Sequence, residues 1–491
     1  MAKRTAIIDI GSNSARMVVF EKSSRFAFHL IKEIKSRIRI GEGAYEKEGY
    51  LQEKPIQRAY DALEDFTKII KALKCAKTLC VATSALRDAP NSAEFIKNIR
   101  DNLGLNIKII DGNKEAYYGA LSSVNFLKPI DEATTIDIGG GSTELAKIEN
   151  GNITHTLSLN IGTVRLKELY FDKKSSLEQI NQYIQNIIEN IPDEFKSNNL
   201  IAIGGTLRSL SDIIMVSKKY PLNTVHSFEY SLEENQTLIE KIIQSDVFDL
   251  KDFGIRKDRY DTMREGCAIF KAVSQKLEAK HIITNGTGVR EGVYLQDLLR
   301  SSNNRFPKNF YPSVKSLSDR FDIDEKDSKY ISKVALDLFD ALHYIHQIDD
   351  SFKKELSIAC KLHSIGRSLS FYQEHLHSFY FILNNLNYNF SHKEKVLIAI
   401  LVKYHTKKLP SFEDMQSYDE LLPDIKIVNW LSFIISLAKC LNVNLAKSKL
   451  QMKYENHTLY IISEEKLHVA KECIKKLIKP ASFAIVIKKE D

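Results

Sequence analysis

The sequence predicts an α/β protein in which two related domains are followed by a helical region. Three observations support this class. Strands and helices alternate over the first 300 residues, one strand–turn–strand unit occurs twice, and the apolar periodicity becomes helical after a polar stretch at 302–316 that contains two prolines. We therefore expect domains at 1–125, 126–305 and 306–491. Of the 491 residues, 43% are hydrophobic and 27% charged, which excludes a disordered chain.

The first domain opens with a predicted β-hairpin. Two apolar, β-branched runs within residues 5–21 flank a Gly-Ser-Asn-Ser turn. Residues 55–73 place apolar side chains every three or four positions behind a proline, which predicts a helix. The remaining segments alternate: strands at 77–85 and 106–112, helices at 91–103 and 114–124. This order predicts a largely parallel sheet that carries one antiparallel hairpin.

The second domain repeats the first hairpin. From residue 133 the strand, turn and strand return, and the shared core reads IDIGSNS in the first copy and IDIGGGS in the second. Two copies of one supersecondary unit in one chain indicate an internal duplication. The rest of this domain is predicted from its periodicity as helices near 176–191, 233–246 and 256–278, with strands at 199–205 and 280–286.

The C-terminal third is predicted to be helical and to end in a short, basic, β-like tail with one helix inside it. Its lysines contribute to a net charge of +7, and five of them are close together in the tail: Lys466, Lys471, Lys475, Lys476 and Lys479. Such a cluster is typical of a solvated helix face, and it also suits an anionic partner. Both interpretations stay open.

Cysteine usage and hydropathy predict a cytoplasmic protein without a membrane segment. The six cysteines form no C-x-x-C pair and lie mostly in apolar stretches, which predicts reduced, buried thiols. The most apolar window, residues 427–441, is interrupted by Asn429 and Lys439. It is therefore too short for the ~18 uninterrupted apolar residues of a spanning helix.

The two repeated turns are candidates for phosphate binding. Each follows a strand that ends in an aspartate, Asp9 or Asp137, and each consists of glycine and small polar residues whose backbone N–H groups can approach an anion. One such turn alone is typical of an ordinary hairpin, but its duplication favours a function. The chain has no G-x-x-x-x-G-K-[ST] motif, so this is not a Walker loop.

Carboxylates accompany these turns. Asp9, Asp137 and Glu144 flank them, and Glu115 begins a helix after the Asp-Gly-Asn turn at 111–113. Hydrolysis of a polyanion needs a divalent cation and a base, and both tasks suit carboxylates. Glu115 could equally well complement the dipole of its helix.

Seven segments in order resemble the motif series of the exopolyphosphatase/guanosine pentaphosphate phosphohydrolase (Ppx/GppA) family, of the actin-like ATPase superfamily. They are DIGSNSARMVV (9–19), ATSALRDAPN (82–91), DGNKEAYYGALS (111–122), DIGGGSTEL (137–145), NIGTVRLKE (160–168), AIGGTLRSL (202–210) and TNGTGVREGVY (284–294). The resemblance implies two actin-like (ribonuclease H-like) domains with duplicated phosphate-binding hairpins, followed by an all-α HD-like domain.

The same resemblance implies an activity. It is the Mg²⁺-dependent hydrolysis of terminal phosphoanhydride bonds in inorganic polyphosphate, in guanosine pentaphosphate or in both, with Mn²⁺ as an alternative metal. Glu115 matches the base that activates water, and Arg87 matches an arginine that faces the phosphates. Asp137 and Glu144, with Asp9, match the metal-linked acids. The phosphate-binding positions are Gly11, Ser12, Asn13, Ser14, Gly139, Gly140, Gly141, Ser142, Thr143, Gly204, Gly205 and Thr206.

Two other functions remain open at this point. One is a sensor that binds polyphosphate or guanosine tetraphosphate without hydrolysis, and the other is a kinase of the actin-like fold. We expect a homodimer, with neither a specific nucleic acid nor a membrane as partner. Residues 125–133 are the expected hinge for cleft closure. Arg259, Asp261 and Arg264 are further candidates that could reach across the cleft.

The HD-like domain is expected to have lost its metal site. The His-Asp pair of that pattern reads His363-Ser364 here, and Lys439 and Cys440 lie where a later aspartate would be expected. We interpret the histidines of this region, among them His363, His375, His377 and His405, as packing or phosphate-contact residues. The domain would then contribute dimer contacts and a basic channel.

Overall fold

A five-stranded sheet forms the first α/β layer of the protein. The computed structural model describes residues 3–44, 46–321 and 323–489, so Met1, Ala2 and Glu490, at the ends of predicted strands, lie outside it. The strands run in the order β3-β2-β1-β4-β5, with β1, β2 and β3 antiparallel and β4 and β5 parallel to β1. Their bounds are β1 Lys3–Ile10, β2 Ala15–Lys22, β3 Phe28–Ser36, β4 Lys77–Ala82 and β5 Ile107–Ile109.

The second sheet repeats this order and adds one edge strand. Its order is β10-β11-β9-β6-β7-β8, in which β6, β7 and β8 are antiparallel and β9 and β11 run parallel to β6. The bounds are β6 Glu132–Ile138, β7 Thr143–Glu149, β8 Asn152–Leu159, β9 Asn199–Ile203, β10 Glu229–Ser231 and β11 His281–Thr284. The duplication is thus present in the topology as well as in the sequence.

Helices cover both sheets. Those of the first 310 residues are α1 Glu53–Ala72, α2 Ser84–Asp88, α3 Ser92–Leu103, α4 Gly112–Phe126, α5 Thr163–Leu166, α6 Leu177–Ile188, α7 Gly205–Ser217, α8 Leu232–Gln244, α9 Met263–Lys276 and α10 Val289–Leu299. The apolar stripe of α1, with Ala59, Leu63 and Phe66, is buried, which is the periodicity that predicted it. The chain between α4 and β6 coincides with the expected hinge at 125–133.

The second half of this region does not end where the sequence suggested. Helix α10, which the boundaries place in the domain 126–305, packs against α4 and β1 of the first half. The Tyr294 ring stacks on that of Phe20 at a centroid distance of 4.4 Å. Two strands, β8 and β10, were not predicted, and the helix expected at 256–278 begins at Met263 after a short 3₁₀ turn at Lys257–Arg259. The polar side chains of that turn make contacts described below.

The chain divides into two compact units, Met1–Phe310 and Tyr311–Asp491, within the linker predicted at 302–316. The second unit begins with helices, as predicted. They are α11 Pro312–Arg320, α12 Glu325–Ala341, α13 His343–His346, α14 Lys353–Leu362, α15 Glu374–Asn385, α16 His392–Lys403, α17 Phe412–Met415 and α18 Ile425–Leu441.

The tail of the second unit is a small sheet with one helix inserted, so "all-α" describes only the part before it. Strands β12 Leu450–Glu455 and β13 Thr458–Ser463 are antiparallel, and β14 Ala484–Lys489 is parallel to β13. Helix α19 His468–Ile474 lies between β13 and β14 in sequence. The predicted β-like tail is confirmed in this form.

Two of the six cysteines correct the prediction of reduced thiols. Cys440 at the end of α18 and Cys473 in α19 form a disulfide, whereas the other four are free. The pairing could not be predicted because 33 residues separate the partners and only the packing of α19 on α18 brings them together.

Within the described ranges, no single helix has the length and apolar composition needed to cross a bilayer. The segment Phe412–Leu421, which comprises α17 and the following turn, meets those criteria together with α18, and the two are bent by 111° from one another.

Candidate active site

Two turns of the same construction face each other in the first unit. In loop 1 (residues 11–14, after β1) the Gly11 amide donates to the Ser14 carbonyl at 3.2 Å. In loop 2 (residues 139–142, after β6) the Gly139 amide donates to the Ser142 carbonyl at 2.9 Å. A Cβ atom on Gly140 would lie only 2.9 Å from the Ser12 Cβ. The duplicated hairpins therefore place their tips against one another.

A third loop enters the same space. Gly204 follows β9 with a φ of +93°, in the left-handed region that favours glycine, and a Cβ atom there would lie 2.7 Å from Asp137 Oδ1. Helix α7 begins at the next residue, so the amides at Gly205 and Thr206 belong to a helix N-terminus, where backbone N–H groups have no partner within the helix. Such a terminus suits an anion.

The three loops line one cavity of about 150 Å³. Twelve of the residues predicted from the sequence contribute to its wall: Asp9, Gly11, Ser12, Asn13, Ser14, Glu115, Asp137, Gly139, Gly140, Gly204, Gly205 and Thr206. The other five residues that the family resemblance assigned do not line the cavity: Arg87, Gly141, Ser142, Thr143 and Glu144. Thr143 is fully buried and donates its hydroxyl to the Ile161 carbonyl at 2.6 Å.

Glu115 is buried at the side of this cavity, in the first turn of α4. Asp111 caps that helix by accepting from the Lys114 amide at 2.7 Å, which fixes the first turn and with it the Glu115 side chain. Arg87 Nη1 lies 3.2 Å from Glu115 Oε2 and 3.3 Å from the Ile110 carbonyl. Arg87 therefore contacts the carboxylate of Glu115 while lying outside the cavity wall.

Burial perturbs all of the acidic groups. It raises the pKa of Glu115 well above its ordinary value, an effect that the charge of Glu144 reinforces and that of Arg87 opposes. Burial likewise raises the pKa of Asp137 to about 6 and that of Glu144 to about 8. The pKa of Asp9 is raised by burial, against the charges of Arg290 and Arg16. Four carboxylates collected in a desolvated place favour the arrival of a cation.

Arginines share the cavity with these acids. Arg16, Arg208, Arg259 and Arg290 all line it. Arg208 donates to the carbonyls of Gly204 at 3.0 Å and Gly286 at 2.7 Å. Burial and the charges of Arg290 and Arg208 lower the pKa of Arg16 to about 10. Guanidinium groups crowded in this way are stabilised by an anion with several oxygens.

Comparison with known proteins assigns this arrangement to a family. The sequence model of the Ppx/GppA phosphatase family matches residues 18–301, and that of Ppx/GppA phosphatase domain III matches residues 311–475. The chain belongs to the Ppx/GppA phosphatase family. Its structure resembles the Aquifex aeolicus member, with 26% identity, 62% of this chain and 99% of that chain covered, and a TM-score of 0.53.

A second solved structure supports the fold. It is titled an exopolyphosphatase from Cytophaga hutchinsonii, is 22% identical, covers 60% of this chain and 98% of its own, and has a TM-score of 0.55. The family motifs quoted above therefore lie on the fold that the resemblance implied, with two α/β sheets and a helical region after them.

The sequence analysis missed three of the four arginines. Arg16, Arg208 and Arg290 stand within the quoted motifs but were not selected, whereas Arg259 was named as a residue that could reach across the cleft. A signal was available for two of them. Arg16 is the hairpin partner of Asp9, two residues after loop 1. Arg208 follows Gly204 by four residues, about one helical turn, which returns its side chain to the helix N-terminus.

A second group of titratable residues lies in the second unit. His363 and His405 are buried, with ring centroids 5.3 Å apart. Glu374 Oε1 lies 2.9 Å from Lys439 Nζ and 3.9 Å from His405 Nε2. Its other oxygen pairs with Arg367 Nε. We call these residues the Lys439 cluster. The Lys439 cluster includes the positions at which the HD pattern would hold a metal ion. The cation present there is the ammonium group of Lys439.

In the described ranges no group of three or more histidines, cysteines, aspartates and glutamates has the geometry to hold a metal ion by itself. His363 Nδ1 and His405 Nδ1 donate to nearby backbone carbonyls, those of Cys360 and Val402, so their contacts are those of packing residues. The five tail lysines, in contrast, are exposed.

Proposed function

We propose that this Ppx/GppA phosphatase hydrolyses terminal phosphoanhydride bonds in inorganic polyphosphate, in guanosine pentaphosphate or in both, and releases orthophosphate. The observation that carries the proposal is one cavity in which a buried glutamate, Glu115, stands beside three amide-rich loops and four arginines. Loops and arginines suit a phosphate chain, and the glutamate suits a water molecule next to it.

Binding would come from backbone and guanidinium groups together. The amides of loops 1 and 2 and of the α7 N-terminus would hold the oxygens of the last phosphoryl groups. Arg16, Arg208 and Arg259 would neutralise the charge on those oxygens. Because phosphoryl transfer depends mostly on positioning and charge stabilisation, this binding supplies a large share of the catalysis.

The carboxylates suit a Mg²⁺ ion. Mg²⁺ keeps several waters and is usually held by one or two carboxylates together with substrate phosphates, so a site without three protein ligands is compatible with it. Asp9 and Asp137 line the cavity and would hold the ion, while Glu144 would act through water. When bound, the ion would neutralise charge on the phosphates, and Mn²⁺ could replace it. The raised pKa values of these acids fit a site that receives positive charge.

Glu115 would take the proton of the attacking water. A base works best when its pKa lies near the working pH, and burial shifts the pKa of Glu115 in that direction. Arg87, in contact with Glu115 Oε2, would keep the carboxylate oriented and partly ionised. After transfer, the orthophosphate leaves and the shortened chain retains its terminal phosphate for a further round.

Glu115 argues against the kinase alternative, because a carboxylate buried beside the phosphate-binding loops suits the activation of water better than transfer to an alcohol. Against the sensor alternative stands the buried, perturbed Glu115, which a binding protein would not need.

We further propose that polyphosphate is the better substrate and that the active form is a homodimer in the cytoplasm. The exposed lysines of the tail, with Lys475 paired only to its neighbour Glu472 in the described ranges, suit a long polyanion and would not be needed for a nucleotide. The preference for polyphosphate over a nucleotide therefore depends on the charge of the tail.

The decisive experiment is orthophosphate release from long-chain polyphosphate and from guanosine pentaphosphate, measured side by side with Mg²⁺, with Mn²⁺ and after chelation. The wild-type protein should release phosphate, chelation should stop the release, and the ratio of kcat/KM values should identify the preferred substrate. Asp137→Asn should raise the Mg²⁺ concentration needed for half-maximal rate.

Failure of the proposal is equally clear in this design. Binding of either polyanion without phosphate release would favour the sensor. Phosphate transfer to a sugar or carboxylate acceptor, without release to water, would favour the kinase.

A further inference from the structure

Asp261 lies between Arg259 and Thr262, which line the cavity, and it binds two arginines that follow the first sheet. Its Oδ2 accepts from Arg39 Nη2 at 2.7 Å and from Arg37 Nη2. Arg37 and Arg39 follow strand β3, whereas Asp261 follows the 3₁₀ turn at Lys257–Arg259 that precedes α9. One carboxylate therefore joins the two halves of the first unit.

Arg39 is tied to loop 1 at the same time. Its amide donates to the Asn13 carbonyl at 3.0 Å, and two residues later the Gly41 amide donates to the Ser12 carbonyl at 3.1 Å. Arg39 has a φ of +47°, a left-handed conformation that costs a non-glycine residue free energy and persists where neighbours enforce it. The hydrogen bond to loop 1 and the ion pair with Asp261 are two such constraints.

At the other end of the ion pair, Asp261 is two residues from Arg259. The Arg259 guanidinium lies against the third loop, since a Cβ atom on Gly205 would be 2.5 Å from Arg259 Nη1. The Thr262 amide donates to the Arg259 carbonyl at 3.1 Å, so Asp261 is held within the same turn as Arg259. Fixing Asp261 therefore fixes the base of the Arg259 side chain.

Two buried polar atoms of this turn are unsatisfied. Within the described ranges, Arg259 Nε and Asp261 Oδ1 have no hydrogen-bond partner. Unpaired buried donors and acceptors are costly and are typical of a site that is completed by a ligand or by water. Arg259 lines the cavity, so its guanidinium group can contact an anion there.

From these contacts we infer that Asp261 is a positioning residue. By binding Arg39 and Arg37 it holds loop 1 and Arg259, which both line the phosphate-binding cavity, in register with one another. This inference rests on the proposed function for its effect on catalysis, but the structural link from Asp261 to loop 1 can be tested without any substrate.

The kinetic test compares three variants with the wild-type protein on polyphosphate. Asp261→Asn removes the charge and keeps the shape, and Arg39→Asn removes the guanidinium while keeping a residue that tolerates positive φ. Displacement of a binding group by about 1 Å can cost ~100-fold, so we expect kcat/KM to fall about 10- to 100-fold in each, mainly through KM. Because Asp261→Asn already breaks the pair with Arg39 as well as that with Arg37, the double variant should lose no more than Asp261→Asn alone.

Asp258→Asn is the matched control. It lies in the same segment and also pairs with a residue of the first half, with Lys35 Nζ at 3.5 Å from its Oδ2, but within the described ranges the Lys35 side chain makes no hydrogen bond to loop 1. Its kcat/KM should change by less than about twofold, as expected for an exposed pair. Equal losses in Asp258→Asn and Asp261→Asn, or no loss in Asp261→Asn, would overturn the inference.

The second readout is amide hydrogen exchange without substrate. Asp261→Asn should speed exchange at the Arg39 and Gly41 amides, which donate to loop 1, and Asp258→Asn should not. Unchanged exchange in Asp261→Asn would overturn the link even if the protein were active. If the wild-type protein released no phosphate while exchange responded as expected, the proposed function would fail and the positioning role would stand. Thermal unfolding would confirm that each variant is folded.

Discussion

The cavity of the first unit and the Lys439 cluster of the second both collect buried ionisable groups, yet their charges are balanced differently. Asp9 and Asp137 line the cavity together with four arginines, and the pKa values of these two acids are raised. In the Lys439 cluster, Glu374 contacts Lys439 and Arg367 directly, and its pKa is held below the ordinary value, because these cations and His405 outweigh burial.

This difference teaches how to distinguish a binding site from a packed ionic core. Where a carboxylate has its own cation within hydrogen-bond distance, the energy of the pair is already realised and no ligand is needed. Where acids and arginines line a cavity, their charges are not paired with one another directly, and we propose that a phosphate and its metal complete them. Clustering of titratable residues alone would not separate the two cases.

The largest expected contrast is in catalysis. Glu115→Gln should lower kcat for phosphate release by about 10²- to 10⁴-fold, the usual contribution of a general base, whereas Glu374→Gln should leave kcat per folded molecule unchanged. Turnover of polyphosphate, normalised to the folded fraction from circular dichroism, measures both.

A matched control for Glu115→Gln is Glu94→Gln on the exposed face of α3. It should retain full activity. Wild-type kcat in Glu115→Gln would remove Glu115 from the role of base, and a large loss in Glu374→Gln would place the Lys439 cluster in the catalytic machinery.

The next contrast is in pH dependence of stability. Burial, with the charge of Lys439, lowers the pKa of His405 to about 4, below the value of about 6.5 in an unfolded chain. Between these values the unfolded state binds more protons, so the stability of the second unit is full above pH 6.5 and falls by about 2–3 kcal/mol as pH drops to 4. Glu374 would add its own loss at lower pH, because its pKa is also depressed.

Urea unfolding at pH 7, 5.5 and 4.5, followed through the transition of the second unit, measures this effect. His405→Asn should flatten the dependence, and His457→Asn, at an exposed position, should not. An unchanged slope in His405→Asn would show that other groups cause the acid sensitivity.

A smaller effect is expected from the arginine side of the cavity. Arg16→Gln removes one buried guanidinium, and a hydrogen bond to a charged group contributes about 1.5–3 kcal/mol, so kcat/KM for polyphosphate should fall about 10- to 100-fold. Steady-state kinetics at two salt concentrations would measure it. Arg100→Gln on the exposed face of α3 should have no effect, and an equal loss in both variants would point to general electrostatics.

The smallest effect is expected from removal of the internal cation. Lys439→Met should destabilise the second unit by about 1–2 kcal/mol, because Glu374 loses one charged partner and keeps Arg367. Thermal unfolding followed by calorimetry measures this loss. Lys426→Met, at an exposed position in the first turn of the same helix, should change stability by less than 0.5 kcal/mol. A stabilised Lys439→Met would mean that burying the ammonium costs more than its ion pair returns.

The sequence predicted the framework of the site better than its charges. The repeated IDIG turns, the third loop and Glu115 could be found because glycine-rich turns after strands and a glutamate after a sharp turn are local patterns. The direction of Arg16 or Arg290 into the cavity depends on which face of a strand or helix points inward, which the motif alone does not state.

Long-range pairing was the other limit. The linker, the duplicated sheets and the basic tail follow from local periodicity and composition, but Cys440–Cys473, the packing of α10 on the first half and the Arg39–Asp261 contact join residues far apart in the chain. Lys439 was noted where an aspartate would be expected, yet its partner Glu374 became visible only when α15 and α18 were placed together.

The hairpin register shows where the two copies of the duplicated unit differ in charge. Asp9 is paired with Arg16 in the first hairpin, and at the equivalent position of the second Asp137 is paired with Glu144. Identical backbones thus carry opposite charges at one matching point, so the two halves are no longer interchangeable. Arg16 of the first hairpin lines the cavity, whereas the matching Glu144 of the second is buried and does not line it, so the duplication has diverged into one copy that offers a phosphate a guanidinium and one that does not.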